Sequence, residues 1–118
     1  MKRNYRRMLG KKGEEKAAEY LKQAGYKILA LNFTTKIGEI DIIARSGDEI
    51  AFVEVKTAVS TKFGPPQYAV NSDKQQKIKK VAAQFLSLQH NYESCRFDVI
   101  TLTGEEDALE LDHFPAAF

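Results

Sequence analysis

The segment that most restricts the fold is Gly38-Glu39-Ile40-Asp41-Ile42-Ile43, followed after a turn by Phe52-Val53-Glu54-Val55-Lys56. Apolar and charged residues alternate through most of it, and a strand sends alternate side chains to opposite faces. Glu39 and Asp41 are expected on one face of the first strand, with Ile40 and Ile42 on the other. Glu54 and Lys56 share a face of the second, opposite Val53 and Val55. Between them, Arg45-Ser46-Gly47-Asp48 has hairpin-turn chemistry. A turn centred on Gly47-Asp48 pairs Ser46 with Glu49. Carried along the ladder, that register sets Asp41 across from Glu54 and Glu39 across from Lys56. Such neighbours have Cβ atoms about 4.5–5.5 Å apart. A three-residue turn or a bulge would shift the pairing by one.

Two carboxylates facing each other on a sheet repel. A shared proton or a cation resolves the conflict. Carboxylate oxygens suit Mg²⁺ or Mn²⁺, which could take Asp41, Glu54 and the Val55 carbonyl as ligands. A metal there would acidify a bound water and polarise a phosphoryl group. Lys56 could orient the attacking water or offset transition-state charge. The competing reading is a solvated charged face with Lys56 paired to Glu39. The strongly apolar flanks of the acids argue instead for an interior sheet. A third acid, Glu14, precedes Leu21 by seven positions and so falls within about 20° of it on a helical wheel. It therefore lies on an apolar stripe, where an acid needs a partner. A plain helix-start carboxylate favouring the macrodipole is the alternative.

The rest of the chain frames this hairpin. Gly13 to Ala24 has helical spacing, with Ala17, Ala18, Leu21 and Ala24 on one stripe and Gly25 as a stop. Strands are expected at Tyr26–Phe33, Gly38–Ala44, Glu49–Val59, Arg96–Leu102 and Leu109–Phe114. Phe63-Gly64-Pro65-Pro66 reads as a loop. Ser72 begins a second helix, with Gln75 completing a capping box and Ile78, Val81, Ala82, Phe85 and Leu88 as its apolar stripe. The order α-β-β-β-α-β-β predicts an α/β fold, a mixed sheet flanked by helices. One domain over 13–118 is expected, with residues 1–12 a basic arm or the start of the first helix.

Charge is unevenly placed. All 18 Lys and Arg lie at or before Arg96, against 10 acids, a net +8 over that stretch. A basic body attracts polyanions, which suggests nucleic acid as the partner; a solvated basic surface with no partner is the alternative. Lys11, Lys12, Lys74 and Lys77 are the candidate contacts, Lys74 at a helix N-terminus of the kind that suits phosphate. Cys95 is the sole cysteine, which fits a reducing compartment and reads as a small buried hydrophobe. No apolar run reaches the ~18–20 residues of a membrane span, so the expected location is the cytoplasm. His90 and His113 have no ligand spacing. The tail from His113 to Phe118 is apolar enough to serve as an interaction segment.

With these residues assembled, the chain resembles the PD-(D/E)XK nuclease superfamily. More narrowly, it resembles the YraN-like family of uncharacterised bacterial proteins, which is similar in fold to archaeal Holliday-junction resolvases. The matching pieces are Gly13-Glu14 with Ala17 and Leu21, Gly25-Tyr26, Asn32, Gly38-Glu39-Ile40-Asp41, Phe52-Val53-Glu54-Val55-Lys56, Phe63-Gly64, Lys74 and Arg96-Phe97-Asp98. The resemblance spans Gly10 to Phe118. It implies a restriction-endonuclease-like core, metal binding by Asp41 and Glu54, catalytic support from Lys56 and an auxiliary acid in Glu14. Ile40 stands where the superfamily's name has proline. Ala58 stands where the family often has arginine, which removes one phosphate contact. The expected function is metal-dependent endonucleolytic cleavage of DNA, branched or structured DNA included, by a chain that a homodimer would suit. The alternative is a nucleic-acid-binding domain of the same fold that does not cut.

Overall fold

Helix α1 (Lys2–Gln23) is continuous, so the basic stretch is its first half and not a separate arm. The computed structural model describes residues 2–58, 70–89 and 94–118. The loop expected at Phe63–Pro66, and His90, lie outside them. No proline interrupts α1, and its end is set by Gly25, whose φ of +95° only glycine adopts freely. The Gly25 and Tyr26 N–H groups donate back to the Lys22 and Leu21 carbonyls, which closes the last turn.

Five strands follow: β1 (Lys27–Thr34), β2 (Glu39–Ser46), β3 (Glu49–Ala58), β4 (Ser94–Thr103) and β5 (Glu110–Phe114), with α2 (Ser72–Leu86) between β3 and β4. They form one sheet in the order β1-β2-β3-β4-β5. All neighbours are antiparallel except β3 and β4, which are parallel. Parallel pairing requires a crossover, and the chain segment containing α2 supplies it. The α/β order expected from the sequence is the one observed.

Alternation along β3 builds two cores. Ala51 and Val53 pack with Ala17, Ala18 and Leu21 of α1, while Ile50 and Phe52 pack with Ile78, Val81 and Phe85 of α2. Every residue named in those two sets is under one-tenth exposed. Burying one such Leu, Ile or Phe side chain contributes about 1.5–3 kcal/mol. The tail does not project: Ala117 donates its N–H to the Phe97 carbonyl, and Phe118 stacks on Phe97, which stacks on Phe52.

Three local expectations need correction. The N-cap of α2 is Asn71 rather than Ser72; its side chain accepts from the Lys74 N–H at 2.9 Å, while the Gln75 amide reaches the Val70 carbonyl. Leu88 lies beyond the helix and is 66 % exposed, because the helix ends at Leu86 before another turn can bring it to the core. Cys95 is exposed, since it sits at the open start of β4.

Candidate active site

The predicted hairpin register holds through Ser46↔Glu49, Arg45↔Ile50, Ala44↔Ala51, Ile43↔Phe52 and Ile42↔Val53. The described ladder stops there, one rung before Asp41 would meet Glu54. Nor is Glu39 a ladder partner of Lys56; it pairs with Thr34 of β1, whose hydroxyl donates to its carboxylate at 3.1 Å. In place of the next rung, Asp41 Oδ2 accepts the Val55 N–H at 2.9 Å.

The physical cause is a break in the pleat. Ile40 belongs to the α2-side core and Ile42 to the α1-side core, so the two do not share a face as the alternation predicted. On β1 the rungs Leu31↔Ile42 and Phe33↔Ile40 leave Asn32 across from Asp41. Asn32 has φ +53°, a left-handed backbone that asparagine tolerates better than most residues. Both strands are therefore irregular at one position, and β2 forks away from β3 there.

Helix α1 closes one side of the fork. A Cβ at Gly13 would lie 2.1 Å from Thr57 Oγ1, so only glycine lets the helix cross β3 this closely. The next residue, Glu14, then reaches β2. Oxygens of Glu14, Glu39 and Asp41 lie within 4.8 Å of one another. Burial, then the neighbouring Asp41 and Glu39, push the Glu14 carboxyl up from its ordinary range. Burial, then Glu54, raise Asp41 to about 6, against the Val55 N–H that favours its anion.

Helix α2 closes the other side. Glu54 is 2 % exposed, and its Oε2 receives the Lys74 ammonium at 2.9 Å. Its Oε1 is buried and, among the described residues, has no hydrogen-bond partner. Burial opposes the charge on Lys74, but Glu54 holds its pKa above the ordinary value. Burial, then the Lys74 charge, bring Lys56 below the usual lysine range. The structure thus clusters the carboxylates of Glu14, Glu39 and Asp41, with the Val55 N–H on Asp41; Glu54 and Lys56 act on Asp41 and on each other electrostatically, but Glu54 is not in that cluster. Lys74, expected as a phosphate contact, forms an ion pair with Glu54. Lys11 and Lys77 are exposed and line the clefts beside Asp41 and Glu39, and Lys12 is exposed on α1. By donor chemistry, the clustered carboxylates are the described group able to hold a hard cation such as Mg²⁺ or Mn²⁺.

A second buried polar cluster escaped the sequence reading. Asp98, fully buried, accepts from Arg96 Nε at 3.0 Å and from the Ala116 N–H at 3.0 Å, and its Oδ2 lies 2.8 Å from His113 Nε2. His113 Nδ1 meets the Tyr20 hydroxyl at 2.9 Å, and Arg96 also bonds Glu49 and the Tyr26 hydroxyl. Arg96 and Asp98, two apart on one strand, were the available signal. Burial would raise Asp98, but His113, Arg96 and the Ala116 N–H hold it below the usual carboxylate range.

Fold and site together define a small α/β domain whose split sheet gathers carboxylates and a lysine pair between two helices. The chain belongs to the uncharacterised protein family UPF0102, whose model matches residues 13–102. It is 48 % identical over 115 residues to a UPF0102 protein of Geobacter metallireducens, covering 97 % of this chain and 94 % of the relative. It is 46 % identical over 110 residues to one from Thermodesulfovibrio yellowstonii, covering 93 % and 95 %. A third, from Caldicellulosiruptor saccharolyticus, is 45 % identical over 117 residues, covering 96 % and 98 %. The expectation of an uncharacterised bacterial family is met. No helix among the described residues is long and apolar enough to cross a membrane.

Proposed function

We propose that this chain is a metal-dependent endonuclease of the PD-(D/E)XK kind that hydrolyses phosphodiester bonds in DNA, with branched or otherwise structured DNA as its substrate. The observation that carries the reading is Glu54 Oε1, a buried carboxylate oxygen with no described partner, beside the raised carboxyl of Asp41. An unpartnered buried acceptor costs roughly 1–3 kcal/mol or more. A divalent cation shared by Asp41 and Glu54, with Glu14 and Glu39 close by, would remove that cost and the mutual repulsion of the acids.

The donor set fits such an ion: all oxygen, and anionic. When bound, Mg²⁺ or Mn²⁺ supplies charge neutralisation at the phosphate and a more acidic water. The chain's own groups do the positioning. The Val55 N–H orients Asp41, and Lys74 fixes Glu54. Lys56, whose pKa is lowered by burial and the Lys74 charge, lies beside the acids, where it can orient an attacking water or offset the charge developing on the phosphate. The exposed Lys11, Lys12 and Lys77 serve the polyanion's backbone. Two chains related by a two-fold axis would bring one site to each strand of a branched substrate.

One observation favours a second reading, a nucleic-acid-binding domain that does not cut: Lys74 already neutralises Glu54 without a cation. Cleavage of a panel of single-stranded, duplex, flap and four-way DNA in Mg²⁺ or Mn²⁺ separates the two. Wild type should cut at least one substrate, and Asp41→Asn and Glu54→Gln should each lose about a hundredfold or more. If wild type cuts nothing, or Asp41→Asn cuts as fast, the endonuclease reading fails. Salt-sensitive binding without cleavage would leave the second reading standing.

A further inference from the structure

A cavity of about 420 Å³ opens beside Asp41 on the α1 side of the fork. Its size is that of a small-ligand pocket, which typically runs to about 300–1,000 Å³. One wall is α1. The other is the irregular pair Leu31 and Asn32 on β1, with Asp41 at the junction. Leu31 is 55 % exposed, an apolar surface with no cover among the described residues. Asn32 holds its left-handed backbone at this wall, and a residue kept in a sparsely populated conformation beside a reacting group points to function.

The charge of the lining says what the cavity can take. Glu14, Glu15, Glu19 and Asp41 outnumber Lys11 and Lys22. A phosphate placed inside would meet a net negative wall. A neutral group with hydrogen-bond donors on its edge and an apolar face would not. Nucleobases have that form: amino and imino donors at the edge, and a flat face that can lie on Leu31. A base inside a duplex presents neither its face nor its pairing edge, so the occupant must be unpaired.

We infer that this cavity is a subsite for one unpaired nucleobase next to the scissile phosphate, with Asn32 reading its edge and Leu31 covering its face. The inference rests on the endonuclease reading and narrows it to substrates with an unpaired nucleotide at the cut, such as flaps, over fully paired duplex. The Asn32 carboxamide offers a donor and an acceptor, the pair needed to match a pairing edge. The same irregularity in the pleat that places Asp41 between the helices thus places Asn32 beside it, so that substrate reading and chemistry share one structural origin.

The test uses a flap oligonucleotide carrying a normal base, or an abasic residue, at the first flap position. Binding is read by fluorescence anisotropy in Ca²⁺, and cleavage in Mg²⁺. Wild type should prefer the normal base over the abasic residue on the order of tenfold, the scale of one well-made base contact. Asn32→Gly keeps the backbone conformation, so it should melt with wild type and bind Mn²⁺ as tightly, yet bind both oligonucleotides alike and weakly. Asn32→Asp should lose the preference too, because it gives up the donor. A wild type indifferent to the missing base, or an Asn32→Gly variant that keeps the preference, overturns the subsite. Absence of any binding overturns it as well. A base preference that depends on Asn32 without cleavage by wild type supports the subsite and instead defeats the endonuclease reading.

Discussion

Replacing Asp41 by Asn should make the metal-free protein more stable. The Asp41 carboxyl rises from 3.8 to about 6 in the fold, chiefly through burial and then through Glu54. At roughly 1.36 kcal/mol per pKa unit, the ionised form costs the fold about 2–3 kcal/mol above pH 6. Asparagine removes the charge, keeps the shape, and can still accept the Val55 N–H through its Oδ1. The sign follows from linkage. Between pH 3.8 and about 6 the folded state holds a proton that the unfolded state has released, so wild-type stability falls as pH rises through this window. The advantage of Asp41→Asn should be absent below about pH 4, grow between pH 4 and 6, and level off above. For a domain of this size, at about 4 °C per kcal/mol, Tm at pH 7.5 should rise on the order of 8 °C. Denaturant unfolding in a chelator from pH 3.5 to 8 measures it. Mn²⁺ at one thousand times its Kd should then reverse the order, since it adds about 4.1 kcal/mol to the form that binds it. A variant less stable than wild type at pH 7.5 in chelator, or a difference independent of pH, would show that the buried Asp41 charge does not cost the fold.

Other perturbations follow from the same geometry. Gly13→Ala drives a Cβ into Thr57 and should destabilise by about 1–3 kcal/mol; Thr57→Ala in the same chain should recover part of the loss, measured by urea unfolding. Lys74→Met strips the buried Glu54 of its ion-pair partner and should cost roughly 1–3 kcal/mol without metal. Adding Glu54→Gln should return most of it, and a double-mutant cycle that shows no coupling would contradict the pairing. Asp98 has its pKa depressed, so its contribution is present above the unfolded value near 4 and is lost as pH falls below it. Asp98→Asn should therefore lower stability at pH 7 by about 3 kcal/mol and flatten the acid limb of the stability curve.

The hairpin was legible because Gly47-Asp48 fixes the register, and the apolar residues flanking the acids mark an interior sheet, which is covered on both faces. The break at Asp41 was not legible. It depends on the left-handed backbone of Asn32 on a different strand, so nothing in the local alternation of β2 announces it. Glu39 consequently joins Glu14 and Asp41 instead of pairing with Lys56. Glu14 was found from its helical position alone, yet its approach to β2 depends on Gly13 meeting Thr57, a contact between distant elements. The ion pair of Lys74 with Glu54 was not legible, because it forms only across the packed interface between α2 and β3. His113 was read without partners; Asp98 and Tyr20 lie 15 and 93 positions away in the chain.

The bond from the Val55 N–H to Asp41 also has a spectroscopic consequence. An amide proton held by a single carboxylate feels every change in that carboxylate's charge. The Val55 resonance in a ¹H–¹⁵N spectrum is therefore a resident indicator inside the site. It should move through a titration midpoint near 6 in chelator and shift again as Mg²⁺ is added. Both events can be followed at one atom, without a substrate and without knowing what the substrate is.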